Sequence, residues 1–337
     1  MMQSPILLIF LSLFSFTTAW ASSRCDENAE RDFCPQYAHL ATGTLANRKT
    51  FGQRYIWPVS VLSIGHTIAS YQKYVGSAYF HHGIDIRADA GSPVIASAGG
   101  KVINIENYVP GNPAYWEIAI LDAEGFIWQY HHVDRSSIPA AIQDAFKKGL
   151  AIPTGAKLGE VYYWPEVTFG ERFHHIHLNI LGAQKSYLNG FAFLESLDDK
   201  VGPQIHEIAL VQNGKKVKGN SVSGPYTMAA ELSDLILHDK FIVPPHVISF
   251  SINGGKKQTV WRFDNLPGGS SNTKYIHDFY LASETCGDYD CRKLVVNLGF
   301  SKDGPVSFPT AGSHQIEVTA EDYEGNKVSR EYRWVVY

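Results

Sequence analysis

The sequence predicts a mainly β protein built as two β-rich units in succession. Three observations carry this. Short apolar runs alternate with polar residues at a period of two, the signature of half-buried strands. The runs are punctuated by many turn formers, with 29 Gly and 16 Pro among 337 residues. The 18 Tyr, 18 Phe and 7 Trp favour pleated, half-packed surfaces.

A chain of 337 residues is long enough for two or three domains. Its 45% hydrophobic and 18% charged content belongs to a protein that buries a core rather than to a disordered one. The formal net charge of −4 offers no electrostatic footprint for a nucleic-acid partner.

Residues Met1 to Ala21 carry no charged side chain. The apolar run Ile6 to Phe16 is too short to span a bilayer. It is followed by Ala19-Trp20-Ala21, a small-x-small cleavage pattern. This predicts a secretory signal peptide cut before Ser22, although its start lacks Lys and Arg. The competing reading is a buried N-terminal helix. Cys25 follows Ser22-Ser23-Arg24 and not a lipid-attachment box, and no later stretch has transmembrane length. In an exported chain the even, locally paired cysteines predict two small-loop disulfides, Cys25–Cys34 and Cys286–Cys291, one of three connectivities.

Residues 22–54 are polar and weakly patterned. From Ile56-Trp57-Pro58-Val59 onwards, strands are expected at Val94-Ile95-Ala96, Lys101 to Ile105, Trp116 to Leu121 and Phe126 to Tyr130. One helix interrupts them. Ser137 is the expected N-cap, Pro139 lies in the first turn, Ala140 to Lys148 favours helix, and Gly149 ends it. Phe191 to Lys200 reads as a short helix or linker. The second unit starts near Pro203. Its alternations are Ile248-Phe250-Ile252, Leu294-Val296-Leu298-Phe300, Ile316-Val318-Ala320 and Tyr332-Trp334-Val336, a β-sandwich pattern.

Chemistry concentrates in three short clusters. The first is Phe173-His174-His175-Ile176-His177-Leu178-Asn179-Ile180. As a strand it puts His175 and His177 on one face and His174 on the other. The second is His81-His82-Gly83-Ile84-Asp85, where His81, Gly83 and Asp85 face one way and small Gly83 leaves room between imidazole and carboxylate. With one member of His175/His177 this makes a His-Asp-His set, the three-ligand complement of a catalytic zinc. The third is Tyr130-His131-His132, with Tyr130 and His132 expected on one face and His131 opposed. Each cluster alone fits a hydrogen-bonded structural histidine. Together they hold two, two and three of the chain's 14 histidines, a concentration that favours a metal site.

These motifs, in this order, resemble the lysostaphin/LytM-type zinc metallopeptidases of bacterial cell walls. The resemblance spans about Ile56 to Ile180. It includes His81-x-Gly83-x-Asp85, Ser92-Pro93-Val94-Ile95-Ala96, Gly100-Lys101-Val102, Tyr130-x-His132, Gly149, Gly155-Ala156-Lys157-Leu158-Gly159 and His175-x-His177. It implies one zinc per chain, ligated by His81, Asp85 and His177, with His132 and His175 as the non-ligand catalytic pair. His175 is the implied general base and His132 the residue that steadies the oxyanion or the water, though these two roles are interchangeable at this stage. The implied activity is hydrolysis of peptide cross-links in peptidoglycan by an exported, periplasmic or secreted enzyme. A non-hydrolytic cell-wall-binding or regulatory module, and a secreted peptidase with a protein substrate, are the alternatives. Two stretches depart from the family pattern and should border the groove: the bulky Tyr162 to Gly170 segment, and the Ser137 to Lys148 helix.

The later turns, Gly312 to Val318 and Glu321 to Asn326, resemble those of immunoglobulin-like domains on secreted bacterial proteins. The expected architecture is therefore an antiparallel β-sheet metallopeptidase domain followed by an immunoglobulin-like β-sandwich. Its boundaries are signal peptide 1–21, N-terminal extension 22–54, peptidase domain 55–200 and sandwich 201–337.

Overall fold

The computed structural model describes residues 36–47, 55–61, 68–71, 81–165, 167–168, 171–234, 244–266, 278–281, 294–300 and 306–337. The expected signal peptide and all four cysteines lie outside these residues. The fold is mainly antiparallel β, as the alternation predicts. Its first unit is a sheet with strand order Ile68–Tyr71, Ile84–Arg87, His175–Gly182, Ile127–His131, Trp116–Asp122, Gly100–Asn107 and Ala151–Ile152. Every pairing along this path is antiparallel.

Residues directly opposite one another in an antiparallel pair share a sheet face. One face of the sheet carries Ile84, Leu178, Tyr130 and Ile118 in a single row. All four are buried, together with Ile86, Ile176, Ile180, Trp128 and Ile120. Val94, Leu158 and the helix residues Ile142 and Ala145 belong to the same apolar cluster. Burying aliphatic side chains of this size is worth roughly 1.5–3 kcal/mol each.

The helix runs from Ala140 to Lys148 and ends at Gly149, whose φ of 63° is the left-handed cap glycine tolerates. Its N-cap position is Pro139, with no side-chain cap. Ser137 instead closes a 3-10 turn at Arg135–Ser137, which Asp134 caps through Ser136 N–H. The Ser137 hydroxyl donates to the Asp134 carbonyl at 2.7 Å and accepts from Glu160 N–H at 2.8 Å, so it is not available to cap the helix.

The second unit has two sheets. Four strands follow the order Lys215–Lys216, Pro203–Gln212, Thr227–Asp234 and Leu294–Asn297. Five follow Ser221–Val222, Lys327–Val336, Gly312–Glu321, Val247–Ile252 and Gln258–Arg262. Leu210, Ala230, Ile248, Phe250, Val318 and Trp334 from both sheets share one buried cluster. That cluster continues into Tyr37, Ala38, Ala41, Ala119, Ile127 and Leu181, so it also reaches the second face of the first sheet. Tyr187↔Leu266 pairing and the Asn189 amide donating to Phe263 O at 2.7 Å tie the units further.

Candidate metal centre

The second face of the first sheet carries the chemistry. Glu117 lies opposite His131, His131 opposite His177, and His177 opposite Asp85. Four ionisable residues from four strands therefore stand side by side in one row. The next row holds Ala119, Gln129 and Asn179. The strands alternate apolar-in and polar-out in the usual way, but here the polar side is itself covered. Glu117 and Asp85 are fully buried and His131 is 4% exposed.

His81 precedes the Ile84–Arg87 strand and brings its ring to 4.6 Å from that of His177. His81 Nε2 lies 2.8 Å from His177 Nδ1 and 3.2 Å from Asp85 Oδ1. His177 Nδ1 lies 2.9 Å from the same Asp85 oxygen. The two imidazoles and the carboxylate thus present three ligand atoms to one point. His175 stays beside this group, its Nε2 3.8 Å from Asp85 Oδ1.

The donor set fits zinc, which takes imidazole nitrogen and carboxylate oxygen in a tetrahedral shell. Zinc bonds of 2.0–2.1 Å place ligand atoms about 3.3 Å apart, a few tenths wider than the distances here. The hydrogen bonding points the same way. His177 Nε2 is 2.8 Å from Asn179 Oδ1, an oxygen that can only accept, so Nε2 carries the proton. In neutral His177, Nδ1 then faces Asp85 Oδ1 with a lone pair. Two acceptors at 2.9 Å need a cation or a proton between them.

Electrostatics suit the group to a cation. Burial pushes the Asp85 carboxyl up, but the His81, His175 and His177 imidazoles gathered around it hold it well below the usual carboxylate range. Burial lowers His81, His175 and, more strongly, His132 and His131, which favours their neutral forms.

His132 reaches the site by an unexpected route. The strand ends at His131, and His132 has φ 65°, a left-handed value uncommon for any residue but glycine. The turn lays its ring 4.6 Å from that of His175. It also overturns one expectation: His131 does not oppose the site but stands in its central row, 5.1 Å from the His177 ring. Tyr130 points into the apolar core, where its hydroxyl accepts from Ser97 N–H at 2.8 Å.

His132 Nδ1 bonds the Ala114 carbonyl at 2.8 Å and His175 Nδ1 the Phe173 carbonyl at 2.7 Å. A carbonyl only accepts, so both rings carry their proton on Nδ1 and offer a bare Nε2. Trp164 packs against both, at 4.9 and 5.2 Å between ring centroids, and Tyr115 closes the cluster 5.8 Å from Trp164. Trp164, from the bulky stretch singled out in the sequence, thus covers this histidine pair. His174 leaves the site and accepts from Trp164 N–H at 2.9 Å, while His82 stacks on Tyr187 at 4.1 Å.

Sequence reading missed Glu117, Gln129 and Asn179. Asn179 was within reach, since it lies two residues beyond His177 on the same strand face. Glu117 and Gln129 enter only through strand register.

An antiparallel sheet thus holds two His and one Asp at a common point, able to take a metal ion, with two more imidazoles alongside. Residues 79–189 match the model of peptidase family M23, so over that stretch the chain is similar to the lysostaphin/LytM-type peptidases. Similar solved structures include a candidate M23 peptidase from Pseudomonas aeruginosa, at 23% identity over 43% of this chain and 56% of that one, TM-score 0.27. Csd3 from Helicobacter pylori is 20% identical over 43% of this chain and 34% of its own, TM-score 0.32. The catalytic domain of lysostaphin, an antimicrobial peptidase from Staphylococcus simulans, is 19% identical over 34% of this chain and 77% of its own, TM-score 0.25. This chain spans about half or less of the first two. No curated protein is significantly similar to it. No helix among the described residues is long and apolar enough to cross a membrane.

Proposed function

We propose that this protein is an exported zinc endopeptidase that hydrolyses peptide cross-links of bacterial peptidoglycan. The observation that supports it most is the convergence of His81 Nε2, Asp85 Oδ1 and His177 Nδ1 beside two imidazoles with bare Nε2 atoms. In this reading His81, Asp85 and His177 hold one zinc. When bound, zinc polarises a carbonyl and brings the pKa of water to about 7.

His175 is the general base in this reading. Its Nδ1 proton is engaged by Phe173 O, which fixes the ring and directs the bare Nε2 towards the ligand cluster. His132 is held in the same tautomer by Ala114 O. Neutral, it can only accept at Nε2. It becomes a donor to a developing oxyanion only after taking up a proton, which gives the pair a way to pass one proton between roles. Asp85 serves both as ligand and as the charge that favours protonated His175. Trp164 and Tyr115 pack over the pair.

The same reading assigns residues 1–21 to the signal peptide, 22–54 to an extension, 55–200 to the peptidase and 201–337 to an immunoglobulin-like sandwich. Digestion of purified peptidoglycan by the full chain, with and without chelator, tests the activity. Release of new peptide amino termini that chelator abolishes and zinc restores is the expected result. Intact cross-links in every condition would overturn it.

A further inference from the structure

We propose that a buried hydrogen-bond relay running from Tyr37 through Glu117, Gln129 and Asn179 to His177 holds the His177 proton on Nε2, so that Nδ1 offers its lone pair to the metal position. The inference rests on the assignment of His177 as a ligand. One of the relay's residues, Tyr37, lies outside residues 79–189.

The relay is continuous. His177 Nε2–H donates to Asn179 Oδ1 at 2.8 Å. The Asn179 amide donates to Gln129 Oε1 and to His131 Nε2, both at 3.2 Å. The Gln129 amide donates to the Tyr37 hydroxyl at 2.7 Å and to Glu117 Oε2 at 3.2 Å. The Tyr37 hydroxyl donates to Glu117 Oε1, and Asn104 adds a second donor to that oxygen at 3.1 Å. Tyr37 is 8% exposed, Gln129 1%, Asn179 6% and Glu117 0%, so water does not substitute for these partners.

Each amide here has its two N–H bonds and its oxygen committed, so the relay has a polarity. Burial pushes the Glu117 carboxyl up to about 7; on the alkaline side of that value it is ionised and only accepts, from Tyr37, Asn104 and Gln129. It forces Gln129 to present N–H to it and therefore to present oxygen to Asn179. Asn179 must then present N–H to Gln129 and oxygen to His177. His177 must carry its proton on Nε2, which leaves the Nδ1 lone pair facing His81 and Asp85. Reversing the His177 tautomer would set amide against amide somewhere along the chain, inside a site where unmet polar groups are costly. Metal-bound histidines depend on such a partner at the far nitrogen. What is particular here is that the terminal carboxylate is held by a tyrosine of the Gln36–Leu40 turn, a segment remote in sequence from every ligand.

Tyr37, Glu117, Gln129 and Asn179 are thus positioning residues, and their effect should appear in metal affinity and in the imidazole tautomer. The test uses the full chain on the alkaline side of the Glu117 titration. Zinc affinity is measured by competition with a chromophoric chelator, and ¹⁵N imidazole shifts of the metal-free protein report the His177 tautomer. Asn179→Leu should weaken zinc binding by about 10- to 100-fold, the usual cost of losing such a partner. Tyr37→Phe and Glu117→Gln keep shape and should each weaken it by about tenfold or less, with a mixture of His177 tautomers in place of one. A purely structural role would lower the melting temperature and leave the tautomer alone. Wild-type tautomer and affinity in Tyr37→Phe and Glu117→Gln would overturn the relay, even if Asn179→Leu failed to fold. Wild-type protein that binds no zinc would instead overturn the ligand assignment, and the ¹⁵N signals would still judge the relay.

Discussion

Gly83 lies so close to the Leu178 peptide that a Cβ built on it would overlap the Leu178 carbonyl oxygen and Asn179 Oδ1. The glycine between His81 and Asp85 therefore makes room for the neighbouring strand and for the amide that holds His177. Gly83→Ala should push that strand outward, at a cost of roughly 1–3 kcal/mol, typical of overpacking. Chemical denaturation and zinc stoichiometry on the same sample check this. An alanine variant with wild-type stability and full zinc content would contradict the close approach.

Ligation and proton transfer should separate by mutation. His81→Ala, Asp85→Ala and His177→Ala should lose zinc and activity together, as measured by elemental analysis and peptidoglycan digestion. His175→Ala and His132→Ala should keep close to one zinc per chain. Their turnover should fall roughly 100- to 10,000-fold, the range for lost acid–base help. Zinc loss in His175→Ala would show that His175, not its neighbour, is a ligand.

His131 and His174 should behave differently from each other. His131 is buried in the row between Glu117 and His177, whereas His174 sits beyond the site beneath Trp164 N–H. His131→Ala should therefore lower both stability, by about 1–3 kcal/mol for stranded polar partners, and zinc affinity. His174→Ala should leave most activity. Thermal melts and chelator competition on the two variants give the comparison, and equal behaviour would refute it.

Acid sensitivity has a specific source in His82. Burial lowers its pKa from 6.5 to about 3, with the neighbouring His81 and His177 adding to the effect. In the unfolded chain the group protonates near 6.5, and in the folded protein only near 3. Its contribution is complete above pH 6.5 and is lost as pH falls through that window towards 3. The ceiling on this loss is about 5 kcal/mol. His82→Phe, which keeps a ring against Tyr187, should flatten the decline in stability between about pH 6 and pH 4. Urea unfolding across that range measures the slope, and an unchanged slope would exclude His82 as its cause.

How much of this was legible in the sequence varies by feature. The strand at His175–Gly182 follows from its alternation, and so does the placing of His175 and His177 on one face. The helix at Ala140–Lys148 was legible from its composition and from Gly149. Its cap was not, because Ser137 is drawn into bonds with Asp134 and Glu160 that are remote from a helix-capping pattern. The orientation of His131 and His132 was misread for a clear reason. Period-two reasoning assumes the strand continues, and the positive φ at His132 ends it one residue early. The row from Glu117 to Asp85 needed the pairing of four strands, which no single segment encodes.

The face of the sheet that carries the centre is only half polar. Beyond Gln129 and Asn179 it turns apolar at Ala119, Ile127 and Leu181, which share a buried cluster with Tyr37, Ala38 and Ala41. Thr42 and Gly43 continue that cover by hydrogen-bonding the Gly125 carbonyl, and Gly43 in turn accepts from Ala183 N–H. The stretch that matches the peptidase family begins at residue 79, well after these groups. A fragment trimmed to the matched stretch would bare a greasy strip beside the candidate ligands and leave the Glu117 carboxylate without its phenol. The unit that carries the chemistry and the unit that can be cut out and kept soluble are, in this protein, different lengths of chain.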